Sequence, residues 1–125
     1  MIKVKHFLDT LEDDDGIRLW VEPIGLVKEL QELCKVDHVM QHLGPPKDIW
    51  EWFEEHPDEY ETFRGQYHEC LSRSHYRPAL QKLACAAMRE NFTLLHAGDD
   101  PEHNCGTALR EFIAELEAYC PPDQT

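Results

Sequence analysis

The chain lacks three features that would narrow its function at once. It has no stretch near the ~20 apolar residues that a membrane span requires. Its 12 Lys and Arg face 25 Asp and Glu and form no cluster, and none of its five cysteines stands in a CxxC pair. The first lack argues against a membrane protein. The second leaves a formal net charge of −13, which repels nucleic-acid phosphates and anionic lipid surfaces, so neither nucleic acid nor membrane is an expected partner. The third, with the odd count and spacing of Cys34, Cys70, Cys85, Cys105 and Cys120, fits no structural zinc pattern. The expectation is five reduced thiols that fill helix faces. The opening Met-Ile-Lys-Val-Lys-His-Phe has too short an apolar stretch for a signal peptide, and the expected location is the cytoplasm. There is no internal repeat, linker or low-complexity tract.

What is present suits one compact core. The 125 residues are 42% hydrophobic, with five Phe, four Tyr and three Trp, enough apolar surface for one domain and too much for a disordered chain. A single α/β domain over residues 1–120 is expected, with 121–125 as a C-terminal tail after Pro121-Pro122.

Hydrophobic spacing orders the elements. Ile2, Val4, His6 and Leu8 alternate with Lys3, Lys5 and Phe7 as a first strand, and Ile17 to Val21 reads as a second. Only about eight residues join them, while a parallel crossover needs roughly a dozen. That pair is therefore expected as an antiparallel hairpin unless another strand separates them. A helix follows over 25–34 (Leu26, Leu30, Leu33), then a third strand over 36–43 that ends at Gly44-Pro45-Pro46. Pro46 or Lys47 opens the next helix, with Ile49, Trp50 and Phe53 inward; Trp50 and Trp52 cannot share its buried face. Tyr60, Phe63, Tyr67 and Leu71 form a helical stripe, and Leu80, Leu83, Ala84 and Ala87 another. Phe92 to Ala97 is almost continuously apolar, as a strand covered on both faces must be. The order β-β-α-β-α-α-α-β-α predicts an α/β fold: a mostly parallel four-stranded sheet with helices on both faces.

With these pieces placed, the chain resembles the short members of the domain of unknown function 488 family. The resemblance rests on Gly16-Ile17-Arg18, Val21-Glu22, Trp52-Phe53, Phe63-Arg64 with Tyr67, and Thr93-Leu94-Leu95 through Glu102-His103-Asn104 and Leu109. It implies a small cytosolic α/β protein and no particular activity. One departure stands out. Where the family usually reads Val-Asp-Arg-Leu-Trp-Pro-Arg-Gly, this chain has Val21-Glu22-Pro23-Ile24-Gly25-Leu26-Val27-Lys28. If the family arginines hold an anion, this chain has lost or changed that ligand.

In open α/β sheets, ligands sit at strand-to-helix turns, so the turn after the fourth strand is the expected site. Asp100 is expected to cap the last helix, Pro101 to occupy its first position and His103 its third. Asp99, Asp100 and Glu102 outweigh the roughly half positive charge of a helix N-terminus, so a hard cation or an amine fits better than a phosphate. His103 and Glu22 are the candidate catalytic acid/base residues, and Asp99, Asp100 and Asn104 the candidate ligand-binding ones. Asp9 would join them only if the first strand were parallel. No cofactor or metal ligand set is legible. His38 and His42, about 13 Å apart on a strand, are not read as a metal pair, and Cys105 is expected in the core. Two readings stay open: a small-molecule enzyme or binder at this turn, and a non-catalytic interaction module that kept the fold and lost the arginine loop.

Overall fold

The computed structural model describes residues 1–121. Four strands, β1 (Ile2–His6), β2 (Ile17–Trp20), β3 (His38–Val39) and β4 (Phe92–His96), form one parallel sheet in the order β1-β4-β2-β3. The helices are α1 (Lys28–Leu33), α2 (Lys47–Glu55), α3 (Tyr60–Arg73), α4 (Arg77–Ala86) and α5 (Cys105–Leu116). β4, buried along its whole length, takes a central place. Phe92 aligns with Ile2 on one side and Ile17 on the other, and Leu94 with Val4 and Leu19. The antiparallel hairpin is thus overturned. The last strand in sequence lies between the first two, and the connection over residues 7–16 passes across it.

The register divides the side chains between two unlike faces. Ile2, Val4, Leu19, Phe92 and Leu94 join the main core with Tyr60, Phe63, Tyr67 and Leu71 of α3, Leu80 and Ala84 of α4, and Ala108, Leu109, Phe112 and Ile113 of α5. At Gly106 a Cβ would meet Val4 Cγ1 at 2.9 Å, so the first turn of α5 approaches β1 more closely than any other residue would allow. The opposite face carries Lys3, Lys5, Arg18, Thr93 and Trp20, and the 7–16 connection and the C-terminal end of α1 lie against it. Buried Asp15 accepts hydrogen bonds from Lys3 (2.9 Å), Lys5 (3.0 Å) and Arg18. Its carbonyl accepts one from the Thr93 hydroxyl at 2.7 Å. Burial alone would raise the Asp15 pKa, but the Lys3 and Lys5 hydrogen bonds overrule it and hold the carboxyl below its ordinary range. Gly16 follows at φ +66°, where a Cβ would fall 1.9 Å from the Asn91 carbonyl oxygen. Only glycine can turn the chain into β2 there.

Two expected elements and the state of the cysteines change. α1 starts at Lys28 rather than 25 and buries none of its residues; Leu33 is 73% exposed, because a helix of six residues at the sheet margin has no apolar surface to meet. The third strand shrinks to His38–Val39, and a 3₁₀ turn over Gln41–Leu43 carries the chain into the helical layer. Leu43 is buried there, and its carbonyl accepts from the Tyr67 hydroxyl. His38 and His42 therefore share no strand face; the His42 ring lies 4.7 Å from that of Tyr76. Finally, Cys85 and Cys120 form a disulfide, while Cys34, Cys70 and Cys105 are free, which overturns the expectation of five thiols. A separation of 35 positions hides the bond in the sequence. It forms because the end of α4 packs against the 3₁₀ turn Glu117–Tyr119 after α5. Of the expected tail, residues 122–125 lie outside the described residues. No helix among the described residues is long and apolar enough to cross a membrane.

Candidate functional site

The parallel sheet brings the ends of β2 and β4 together with the start of α5, and a cavity of about 440 Å³ opens there. Its walls include Glu22, Trp50, Phe53, Glu54, Asp99 and His103, and among the described residues no Lys or Arg lines it. All five candidate residues, Glu22, Asp99, Asp100, His103 and Asn104, border this one space.

Glu22 is the most constrained of them. Only 3% exposed, it accepts hydrogen bonds from the Ala97 amide (3.1 Å) and the Trp50 indole N–H (2.9 Å). The Cys105 thiol lies 3.8 Å from the same carboxylate. Burial raises the Glu22 pKa, the two N–H donors oppose that rise, and the Glu54 charge adds to it. The carboxylate is thus held by donors yet has an enhanced appetite for a proton. Burial and the Glu22 charge push the Cys105 thiol well above its ordinary range, so it is a poor nucleophile and sits in the core, as expected.

The turn is built differently from its expectation. α5 begins at Cys105, and its N-cap is Asn104: the Asn104 Oδ1 accepts from the Thr107 amide at 2.9 Å, while Nδ2 donates to the Asp100 carbonyl at 2.9 Å. Asp100 instead closes an exposed turn of its own by accepting from the amides of Glu102 (2.9 Å) and His103 (3.3 Å). Asp100-Pro101 resembles a cap followed by a first helical residue, but both N-capping chemistries were present and the buried Asn104 won. His103 therefore precedes the helix. Its side chain is 48% exposed, pairs with the Asp100 carboxylate at 3.1 Å and stacks on Tyr60 with ring centroids 4.6 Å apart.

Asp9 fulfils its condition, since β1 is parallel, but it reaches a different space. With His6, His96 and Asp99 it lines a second cavity of about 380 Å³ on the far side of the β4–α5 turn. Three neighbours escaped sequence reasoning. Trp50 reads as plain helix core and His96 as one more residue of an apolar strand, while nothing in the sequence singles out Glu54. For Trp50 the signal was its indole N–H, which a buried aromatic must satisfy. Among the described residues the only set that brings three metal-ligating atoms within 4.8 Å of one another is Glu12, Asp14 and Asp15. These oxygens serve Lys3, Lys5 and Arg18 instead.

Comparison with known proteins gives the chain its family. The model of the domain of unknown function DUF488 matches residues 3–113. The chain belongs to this family. Uncharacterized proteins of Mycobacterium bovis and of two strains of Mycobacterium tuberculosis are each 28% identical to it over 88 residues, 66% of this chain and 70% of theirs. No solved structure matches. The DUF488 match spans both Glu22 and the β4–α5 turn, so the cavity is built from residues of the family domain.

Proposed function

We propose that this DUF488 protein binds a small organic molecule with a protonated amine in the cavity at the carboxyl edge of its sheet. Glu22 is the buried counter-charge, and His103, paired with Asp100, is the exchangeable proton carrier at the mouth. The observation that carries this reading is the Glu22 carboxylate, buried at 3% exposure in a cavity that no Lys or Arg lines among the described residues. A cation that enters would relieve the repulsion from Glu54 and meet the aromatic lining of Trp50 and Phe53. An anion would meet Glu22, Glu54, Asp99 and Asp100. The altered segment Val21–Lys28, which lacks the family arginines, agrees with a change from anion to cation.

The test is a thermal-shift and NMR titration with ethanolamine against matched sodium salts. Amine-dependent stabilisation in the parent protein, weakened at least tenfold in Glu22→Gln, supports the reading. Equal responses in both proteins, or a response to acetate alone, overturn it. The interaction-module reading draws on one observation, the exposed Leu8, Leu11 and Leu33 that border a groove between α1 and the 7–16 connection.

A further inference from the structure

The second cavity, on the other side of the β4–α5 turn, presents a different chemistry. It is bounded by Val4, His6, Asp9, His96, Gly98 and Asp99, with Lys5 and Pro101. His96 is only 2% exposed. Its Nδ1 accepts from the Gly98 amide at 3.0 Å. Its Cδ2 edge faces Gly106, where a Cβ would lie 3.7 Å away. The remaining Cε1–Nε2 edge is left to the cavity, and among the described residues nothing accepts from Nε2. His6, whose ring stands perpendicular to that of His96 with centroids 5.7 Å apart, repeats the arrangement: its Nδ1 accepts from the Leu8 amide at 3.2 Å.

These backbone amides decide the tautomers. An Nδ1 that accepts an N–H cannot also carry a proton, so in each neutral ring the hydrogen sits on Nε2. A metal ligand would need the reverse, with the ring's other nitrogen donating to a neighbour. The pair is therefore two N–H donors and not half of a metal site. Burial, reinforced by His6, pushes the His96 pKa down to about 4, so it remains neutral near pH 7. Lys5 turns its ammonium away, to the Thr10 carbonyl, Glu12 and Asp15. The charges left around the cavity are the carboxylates of Asp9 and Asp99; Asp9 Oδ2 already accepts from the His6 amide at 3.0 Å.

We infer that this cavity is a second binding site, for an uncharged ligand whose polar end is a primary carboxamide. The carbonyl oxygen accepts from the imidazole N–H groups of His96 and His6, and the amide NH₂ donates to Asp9. The pattern of two donors beside an acceptor matches that group and rejects a carboxylate, which offers no donor and adds a charge beside Asp9 and Asp99. The volume of about 380 Å³ suits a small molecule.

The probe is nicotinamide, with nicotinate as its charged counterpart, titrated into protein labelled with ¹⁵N in its histidines. Nicotinamide is expected to shift the His96 and His6 imidazole nitrogens and to bind at least tenfold more tightly than nicotinate. Both His96→Phe, which keeps the ring shape, and Asp9→Asn, which keeps the histidines, should weaken it at least tenfold. If His96→Phe fails to fold, Asp9→Asn at its exposed position decides alone. Three outcomes overturn the inference: no shift with nicotinamide, nicotinate that binds as well, or Zn²⁺ that binds through both Nε2 atoms.

Discussion

The indole N–H of Trp50 donates to Glu22 Oε2 at 2.9 Å, across 28 residues of sequence. The bond joins the end of β2 to the first turns of α2 and sets one wall of the larger cavity. Trp50→Phe keeps most of the apolar surface and removes the donor. A buried carboxylate left short of a partner costs ~1–3 kcal/mol, to be read as a lower urea midpoint at pH 7. The Glu22 pKa, already raised by burial, should rise further, followed by carboxyl ¹³C NMR. The loss should be smaller when Trp50→Phe is made in the Glu22→Gln background.

Asn104 and Asp100 should respond unequally. Asn104→Ala removes the N-cap of α5 at a buried position and should cost about 1 kcal/mol, with up to about 2 accessible to a buried cap. Asp100→Ala opens only an exposed turn and should change stability far less. Denaturant titration of the two variants checks the order. Equal losses would return the cap to Asp100.

Acid should weaken the fold through His96. Its folded pKa of about 4 lies below its ordinary 6.5, so the unfolded chain binds the extra proton first. The stabilisation is complete above pH 6.5 and is lost as the pH falls toward 4. Glu22, with a raised pKa, acts in the opposite sense: its neutral form is favoured in the fold, so its contribution declines as pH rises above the ordinary carboxyl value. The two are separable. His96→Phe should flatten the acid limb of a stability-against-pH curve, and Glu22→Gln should steepen it.

Alkylation of the unfolded protein without reductant should label three thiols, Cys34, Cys70 and Cys105, and spare Cys85 and Cys120. Mass spectrometry counts them directly. Loop closure over 35 residues stabilises by about 4 kcal/mol in the chain-entropy treatment, and the Cys85→Ser, Cys120→Ser double variant should lose an amount of that order.

Asp15 is the anchor of the second face. Asp15→Ala would leave the buried Arg18 guanidinium with only the carbonyls of Lys35 and Cys34, a loss of about 3–5 kcal/mol. Asp14→Ala, at an exposed pair with Lys3, should cost far less, because water screens that pair. Both are read from thermal or urea unfolding.

Periodicity alone determined the class of this fold. The Tyr60, Phe63, Tyr67 and Leu71 stripe and the apolar run of β4 are local patterns, and each is buried as its spacing requires. The turn after β4 was legible for the same reason, and Glu22, Asp99, Asp100, His103 and Asn104 do border one cavity. What the sequence could not decide was every choice between local rivals. Asp100 and Asn104 can each cap a helix, and the burial of Asn104 against α5 selects it. Residues 2–6 and 17–20 can pair as a hairpin, but β4, remote in sequence, offers both strands a better-buried partner and makes the sheet parallel. The Cys85–Cys120 bond, the donor Trp50 for Glu22 and the T-shaped His6–His96 pair likewise depend on which distant segments meet. Local spacing encodes which face of an element is apolar; packing between elements decides what each face touches.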